Sequence, residues 1–369
     1  MIEIPFLKKI TPSSLSLGFF SRKPANAVGI DIGTHSTKVI QLRYEKERGI
    51  LETYGELLSA GYLGSPADPT ASFLHRSDNE VVSLLRDLLH ESNATSKEAV
   101  FSVPANTSFI TTIAFPLVPE KEIRDAIPFE ARRYIPIPIS EVVLDWEILG
   151  QTEGRDKMEV LLIAVPKEVI EKFKRISEVL HLNLRALEVE TFSPIRSLGG
   201  TDQTPTTFIN LGHQTTTIAI ADRGKLRVSH NFSRGSNELT KLLERGLGIS
   251  QDRAETLKKE VGLSERIEEK EITSVISPFV ETLFSEVERF VAIYNRKAPR
   301  TVQKINLTGG GSNLKGLVEY TVSKFGIEVT RGNPFARVVA PAFMQPVLRE
   351  IGPSFSVAVG LALHEITSR

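Results

Sequence analysis

The sequence predicts an α/β protein built from two similar halves, with a small α+β subdomain inserted into the first half. A strand, a turn rich in Gly, Thr and Ser, and a second strand open residues 27–43, and the same order returns in residues 207–222. Between them, residues 107–185 form a stretch punctuated by prolines. Because a pattern used twice, each time opening a mixed α/β half, indicates duplication, we expect two related lobes.

The composition is that of an ordinary globular chain. Its 369 residues, 41% hydrophobic and 24% charged, suffice for two or more domains with their own cores. Lys plus Arg and Asp plus Glu both number 45, so the charge demands neither nucleic acid nor an anionic membrane as partner, and we expect no nucleic acid. The chain has no cysteine, which excludes disulfides and cysteine nucleophiles and fits a reducing cytoplasm.

The N-terminal residues 1–26 are predicted to be a flexible leader. Lys8 and Lys9 followed by apolar residues loosely imitate a secretory signal, but Thr11, Pro12 and several serines interrupt the apolar region. No stretch of the chain approaches the roughly 18 uninterrupted apolar residues of a membrane helix, so we expect no direct membrane span.

The first lobe is predicted to comprise residues 27–106 plus 186–204. Apolar runs and helical spacing predict strands near 27–33, 37–43, 50–60, 98–103 and 187–190, and a helix over 79–91. The last strand leads into a helix that continues through Leu198.

The inserted subdomain, residues 107–185, is predicted to hold helices near 120–134 and 167–180 and a strand over 158–165. Ile135, Ile137 and Ile139 alternate with two prolines and a serine, so an extended run there shows its isoleucines on one side. These isoleucines form either the insert's own core or a groove for a partner.

The second lobe is predicted to be residues 205–345, followed by a C-terminal helix over 346–369 that returns to the first lobe. After its hairpin come helices near 236–247, 250–260 and 271–297 and a strand over 304–307.

The turns of the two hairpins are candidates for phosphate binding, because glycine lets backbone N–H groups approach a phosphate closely and nearby hydroxyls can donate further bonds. The candidates are Gly33, Thr34, Ser36, Thr37 and Lys38 in the first hairpin and Asn210, Gly212, Gln214, Thr215 and Thr216 in the second. Asp31 is the candidate ligand of Mg²⁺, through bound waters. Lys38 either reaches a phosphate or simply lies along the hairpin. One such turn alone is equally a plain hairpin; two copies in order carry the prediction.

Three further elements fall where a nucleotide held between the lobes would need them. Glu190 ends a strand just before the second hairpin, where it either positions the attacking water of phosphoryl transfer or is a solvated acid. Glu255 and Lys258, three apart on one helix face, either bracket a ribose or adenine edge or form a surface ion pair.

The third element is the run Gly309, Gly310 and Gly311, followed by Asn313, at the junction of a strand and a helix. Its backbone can lie flat against an adenine ring, although an ordinary tight turn is the alternative. Together with the paired hairpins, it predicts that ATP and Mg²⁺ bind between the lobes.

This order of motifs resembles the actin/Hsp70/FtsA superfamily across nearly the whole chain, and the insert narrows the resemblance. Segments similar to the hallmark of PilM proteins of type IV pilus assembly are residues 118–123, 129–131, 134–138 and 141–145, with 333–335 and 357–363 near the C-terminus. The resemblance implies the duplicated two-lobed actin/Hsp70/FtsA-like ATPase fold with an inserted subdomain.

For function, the resemblance implies a cytoplasmic ATP-binding scaffold that docks the short N-terminal tail of a PilN-like inner-membrane protein. It also implies contact with the motor and platform proteins of the pilus machinery, and a location at the inner membrane through these partners. Self-association into a homo-oligomer stays open, as does the choice between a pilus and a related secretion system.

The chain departs from the superfamily at two places. Asn210 stands where Asp is usual, and Gly235-Ser236 where Gly-Gly is usual. Asn lacks the charge that holds magnesium, so we expect nucleotide binding with slow or absent hydrolysis.

Two alternatives keep the fold and change the function. An FtsA-like filament-former or cell-division tether would want an amphipathic terminal helix, which residues 365–369 do not supply. A sugar kinase would need an Asp general base and sugar-binding polar residues in the insert, where no convincing candidate is found.

Overall fold

The computed structural model describes residues 25–46, 48–59, 62, 76–151 and 157–364. The chain divides into two compact units: Met1–Arg196 with Arg337–Ala340 and Val357–Arg369, and Ser197–Ala336 with Pro341–Ser356. The predicted leader lies almost wholly outside the described residues, and the first strand begins at Asn26.

The strands are β1 (Asn26–Ile32), β2 (Ser36–Glu45), β3 (Arg48–Leu58), β4 (Glu98–Val103), β5 (Phe109–Pro116), β6 (Val142–Gln151), β7 (Lys157–Pro166), β8 (Asn183–Val189), β9 (Thr206–Leu211), β10 (Thr216–Asp222), β11 (Lys225–Phe232), β12 (Lys304–Thr308), β13 (Glu328–Arg331) and β14 (Val338–Val339). The helices are α1 (Asp78–Glu91), α2 (Glu120–Ala131), α3 (Lys167–Val179), α4 (Phe192–Pro194), α5 (Asn237–Leu247), α6 (Gln251–Glu260), α7 (Lys270–Lys297), α8 (Leu317–Phe325) and α9 (Gln345–Ala362). The predicted strands and helices each begin within a few residues of an observed element, whereas no bounds were predicted for β5, β6, β11, β13, β14 and α8.

The first unit is built on a six-stranded sheet of order β14-β3-β2-β1-β4-β8. Strands β1, β2 and β3 are antiparallel neighbours, whereas β4 and β8 run parallel to β1. Helix α3 covers one face, where Phe173 packs on Phe101 with ring centroids 5.5 Å apart. The other face receives the end of α9, and a Cβ on Gly29 would lie 2.3 Å from the carbonyl oxygen of Ala358. Only glycine permits that approach.

The insert is a three-stranded antiparallel sheet of order β5-β7-β6 with α2 packed on one face. Its core includes Phe115, Ile127 and Trp146. Ile135 is buried in this core, and Ile137 and Ile139 pack against it. The three isoleucines therefore serve the insert's own core, one of the two alternatives left open by the sequence.

The insert is predicted to extend to residue 185, and the elements before that border contact the rest of the first unit. Helix α3 follows the last insert strand, yet Lys172 and Arg175 on it both pair with Asp78 at the start of α1. Strand β8, from Asn183, already belongs to the six-stranded sheet. The insert's own sheet thus ends at Pro166.

The second unit is built on a five-stranded sheet of order β11-β10-β9-β12-β13. Strands β9, β10 and β11 are antiparallel neighbours and β12 runs parallel to β9, which repeats the arrangement of β1 to β4. The long helix α7 contributes Val280, Phe284 and Val287 to the core beneath this sheet. The duplication predicted from two short hairpins therefore extends to whole sheets.

In the part of the chain that the structure describes, no helix is both long enough and apolar enough to cross a membrane.

Candidate functional site

The first hairpin closes tightly between β1 and β2. The N–H of Gly33 donates to the carbonyl oxygen of Ser36 at 3.2 Å, and a Cβ on Gly33 would lie 2.7 Å from that oxygen. Thr34 is exposed at the tip, whereas Thr37 is fully buried. Of the predicted hydroxyl donors in this turn, Thr34 is therefore presented outward and Thr37 is not.

Polar side chains form a row across four neighbouring strands, β3, β2, β1 and β4, at this end of the sheet. Asp31 lies opposite Lys38 on β2, and Lys38 lies opposite Glu56 on β3. The Lys38 Nζ lies 2.7 Å from the Ser36 Oγ and 3.2 Å from the Glu56 Oε1. The Ser102 hydroxyl donates to the Asp31 Oδ1 at 2.8 Å. The row brings together Asp31, Ser36 and Lys38, three of the predicted site residues.

Sequence reasoning missed Glu56 and Ser102. Both could have been found from strand register, because directly opposed residues in a sheet share a face. Glu56 stands directly opposite Lys38 once β3 pairs with β2.

Glu190 directly follows β8 and accepts the backbone N–H of Ala105 at 3.0 Å. Burial, reinforced by the nearby charge of Asp31, raises the pKa of Glu190 to about 7. Burial also raises the pKa of Asp31, against the opposing effects of Lys38 and Ser102. The predicted metal ligand and the predicted water-positioning acid are thus electrostatic neighbours, as two carboxylates of one site would be.

The second hairpin repeats the first in the other unit. The N–H of Gly212 donates to the carbonyl oxygen of Thr215 at 2.9 Å, and Gln214 and Thr215 are half-exposed at the tip. The Thr216 hydroxyl is committed to the carbonyl oxygen of Arg234 at 2.7 Å. A Cβ on Gly235 would lie 2.5 Å from the carbonyl oxygen of His213, so the Gly235-Ser236 pair lies directly on this hairpin.

Glu255 and Lys258 form a closed network with Thr240. The Lys258 Nζ lies 2.6 Å from the Glu255 Oε2 and donates to the Thr240 hydroxyl at 2.9 Å. That hydroxyl donates to Glu255 at 2.7 Å. Burial alone would raise the pKa of Glu255, but the hydrogen bond and charge of Lys258 lower it to about 2. Lys258 is buried, so the pair differs from the surface ion pair that was the alternative.

The triple-glycine turn packs against the second hairpin. Gly309 adopts φ of 80°, and a Cβ there would lie 2.4 Å from the Asn210 Oδ1. A Cβ on Gly311 would lie 2.5 Å from the Leu211 side chain. Gly310 is exposed with open space around it, which is what a flat backbone surface for a base requires. Asn313 is exposed and donates to the carbonyl oxygen of Glu350 at 3.3 Å.

The turn is also held from α9. The N–H of Gly309 and the hydroxyl of Thr308 both donate to the carbonyl oxygen of Pro353, at 2.8 and 2.9 Å. The Thr308 hydroxyl also lies 2.7 Å from the Ser356 Oγ.

These residues fit a magnesium–nucleotide rather than a metal held by protein alone. Among the described residues, no group of three or more His, Cys, Asp or Glu side chains could hold a metal ion. Magnesium in nucleotide sites takes one or two carboxylates and completes its shell with waters and phosphate oxygens. Asp31, with Glu190 as its neighbour, supplies such a minimal set.

A separate pocket lies between the insert's sheet and the six-stranded sheet. Its empty volume, counted together with adjoining space open to solvent, is about 390 Å³. It is lined by Val103, Val143, Asp145, Ile163, Val165, Ile170, Leu187, Glu188, Val189 and Phe192. The lining is mostly apolar, and β6, which supplies two of its residues, is an edge strand of the insert's sheet.

Comparison with known proteins identifies the family to which this architecture belongs. The family model described as type IV pilus assembly protein PilM matches residues 29–366. The chain belongs to the PilM family. A solved PilM–PilN type IV pilus biogenesis complex superposes on it with a TM-score of 0.79 at 22% identity, covering 93% of this chain and 99% of that one.

More distant relatives of this PilM family member share its fold. The cell division protein FtsA of Enterococcus hirae is 23% identical, over 82% of this chain and 77% of FtsA. MreB5 of Spiroplasma citri bound to ADP superposes with a TM-score of 0.50 at 13% identity, covering 92% of this chain and 95% of that one. The predicted actin-like ATPase fold, related to FtsA, is confirmed.

Proposed function

We propose that this PilM family member is a cytoplasmic, nucleotide-binding scaffold of type IV pilus assembly or a related secretion system. It docks the N-terminal tail of a PilN-like inner-membrane protein and is held at the inner membrane by that contact. Motor and platform proteins of the machinery are its further partners.

Nucleotide binding is supported by the residues of each unit. The first unit offers a tight glycine turn beside Asp31, Lys38 and Glu190, and the second offers the matching turn and the exposed Gly310. Glycine turns present backbone N–H groups to phosphates, and the carboxylates suit Mg²⁺. In the proposed function, these residues bind and orient ATP with Mg²⁺. ATP supplies the phosphoryl group, and Mg²⁺ supplies the charge that neutralises the phosphates.

Calorimetry with Mg-ATP on the full chain tests nucleotide binding. Gly310→Arg fills the open space at the turn and should abolish binding, whereas Gly310→Ala, which adds a methyl group into that space, should bind as the wild type does. Equal affinity in all three proteins would refute the role of this turn.

Tail docking is supported by one observation, the pocket between the insert and the six-stranded sheet. Its apolar lining can take side chains of an extended segment, and the edge strand β6 can pair with its backbone. Main-chain bonds of this kind give affinity and pockets give specificity. The solved PilM–PilN complex is a complex of that family with PilN.

Docking is tested with a labelled peptide of the N-terminal tail of the PilN-like protein and fluorescence anisotropy. Val143→Arg puts a charge into the pocket from a half-buried position on β6 and should abolish binding while Mg-ATP binding persists. Leu117→Arg is the control, since Leu117 is an exposed insert residue that does not line the pocket. If Val143→Arg binds the peptide as tightly as wild type, the tail docks elsewhere.

A further inference from the structure

Strand β3, next to the first hairpin, contains a charged residue to which the proposed nucleotide site assigns no role. We propose that Glu56 is a built-in competitor of phosphate, which holds the Lys38 ammonium and the Ser36 hydroxyl until the phosphates of a nucleotide displace it. This inference rests on the proposed nucleotide binding and concerns its regulation.

The contacts of Glu56 engage two side-chain donors that the hairpin would offer to an anion. The Ser36 hydroxyl donates to the Glu56 Oε1 at 2.6 Å. A hydroxyl has one hydrogen, so Ser36 has none left for a phosphate oxygen. The Lys38 ammonium, with three hydrogens, contacts both the Ser36 Oγ and the Glu56 Oε1. Glu56 therefore occupies the Ser36 hydroxyl completely and one side of the ammonium.

The burial of the partners decides which of them can move. The Lys38 side chain is 11% exposed, whereas the Glu56 side chain is 38% exposed. Lys38 also lies opposite Asp31 on β1, so a second carboxyl group stays near the ammonium when Glu56 moves. Glu56 is therefore the partner that can rotate into solvent, and Lys38 then stays behind with the donor that Glu56 had occupied.

The charges make the exchange favourable only for an anion. Burial would raise the pKa of Glu56, but Lys38 and the hydrogen bond from Ser36 lower it, so Glu56 is ionised at neutral pH. An ionised Glu56 beside Asp31 adds negative charge where phosphate must approach, and like charges repel. The carboxylate thus weakens phosphate binding both by occupying its donors and by repulsion.

The experiment compares Mg-ADP and adenosine by calorimetry on the full chain. Glu56→Gln keeps the shape and an acceptor oxygen but loses the charge, and it should tighten Mg-ADP binding about tenfold, the effect of roughly one charge-assisted hydrogen bond. Adenosine, which has no phosphate, should bind both proteins equally. Glu45→Gln is the charge-matched control, because Glu45 forms an exposed ion pair with Arg43 at the far end of β2.

A double-mutant cycle tests whether Glu56 acts on Mg-ADP affinity through Lys38. In a Lys38→Met background, Glu56→Gln should change Mg-ADP affinity by much less than it does in the wild type. Unchanged or weaker Mg-ADP binding by Glu56→Gln, or an equal gain for adenosine, would overturn the inference while leaving nucleotide binding intact. Absence of Mg-ADP binding by folded wild-type protein would overturn the proposed nucleotide binding and this inference with it.

Discussion

Two neighbouring carboxyl groups, Asp31 and Glu190, keep their protons to higher pH than usual. For Glu190 the pKa rises from 4.5 to about 7, mainly through burial. A group whose pKa is raised by folding stabilises the protein fully below its unfolded pKa and loses that contribution as the pH rises through the folded pKa. The nucleotide-free protein should therefore lose up to about 3 kcal/mol of unfolding free energy between pH 4.5 and 8 through Glu190.

Thermal or urea unfolding at pH 5 and pH 8 measures this loss in the wild type and in Glu190→Gln. The variant cannot ionise, so its stability should fall less with pH. Glu168→Gln, an exposed glutamate on α3, controls for the change of charge. Identical pH profiles for the wild type and Glu190→Gln would contradict the raised pKa.

Gly309 and Gly310 are neighbours, but only Gly310 has room for a Cβ. Gly309 has a backbone conformation that residues with a Cβ rarely adopt, and its Cβ would meet the Asn210 Oδ1. We expect Gly309→Ala to lower the unfolding free energy by about 2–3 kcal/mol. Gly310→Ala, with open space, should change it little, and urea unfolding of both variants distinguishes them. A similar cost at both positions would show that the turn is not packed as described.

The identity of Asn210, at the end of β9, bears on the rate of ATP hydrolysis. Because an amide replaces the carboxylate usual in the superfamily, we expect slow or undetectable ATP turnover in the wild type. Asn210→Asp should raise it, if only modestly, and a tenfold rise corresponds to about 1.4 kcal/mol in the barrier. Phosphate release measures turnover. Brisk wild-type hydrolysis that Glu190→Ala leaves unchanged would show that Glu190 does not position the water.

Individual site residues were predictable to the extent that short motifs contain them. The turn glycines, Asp31 and Glu190 follow from local pattern, and the structure brings Asp31 and Glu190 together. The local pattern did not predict which of these side chains are buried or which already make hydrogen bonds within the protein. Thr37 is buried and the Ser36 hydroxyl is committed to Glu56, because both depend on the strand that pairs next to the hairpin.

At the scale of elements, one carboxylate joins two helices of the first unit. Asp78 begins α1 and lies 3.1 Å from the Lys172 Nζ and 2.7 Å from the Arg175 Nε on α3. The Lys172 side chain is 5% exposed, so removing the Asp78 charge weakens the neutralisation of a buried ammonium. We expect Asp78→Asn to lower the unfolding free energy by about 1–2 kcal/mol, less than for a fully buried pair because Asp78 is partly exposed.

The matched control lies on α3, the helix that carries Lys172 and Arg175. Glu171 pairs with Lys174 one turn away at an exposed position, so Glu171→Gln should cost about 0.5 kcal/mol or less. Equal effects of Asp78→Asn and Glu171→Gln in denaturant unfolding would mean that α3 does not depend on this link.

At the border of the insert, the spacing of apolar residues predicts a helix but does not predict which sheet that helix packs against. Helix α3 was predicted nearly to the residue, but its apolar face does not state which sheet it covers. The contacts that decide it, from Phe173 to Phe101 and from Lys172 to Asp78, join residues about 70 to 95 positions apart. Spacing within a helix carries no information about such distant partners.

At the scale of the molecule, the duplication is the feature that the sequence predicted best. Two glycine hairpins sufficed to predict two related halves, and both sheets have an antiparallel trio followed by a parallel strand. The reason is physical: each hairpin needs the same backbone geometry, so each keeps its glycine and polar signature. The helices and sheet edges around them are under no such constraint, and their sequences differ freely.

The carbonyl oxygen of Pro353, which accepts the Gly309 N–H, has a consequence for local opening of the second unit. An amide exchanges its hydrogen with solvent only when its bond opens, and the free energy of that opening varies from segment to segment. The Gly309 amide should therefore exchange no faster than the segment of α9 around Pro353 unfolds. In deuterium exchange, residues 309–311 and 345–356 should lose protection together, and a Gly309 amide that exchanges as fast as an unstructured one would contradict this. The glycine turn thus becomes a spectroscopic reporter of a helix more than 40 residues away in sequence.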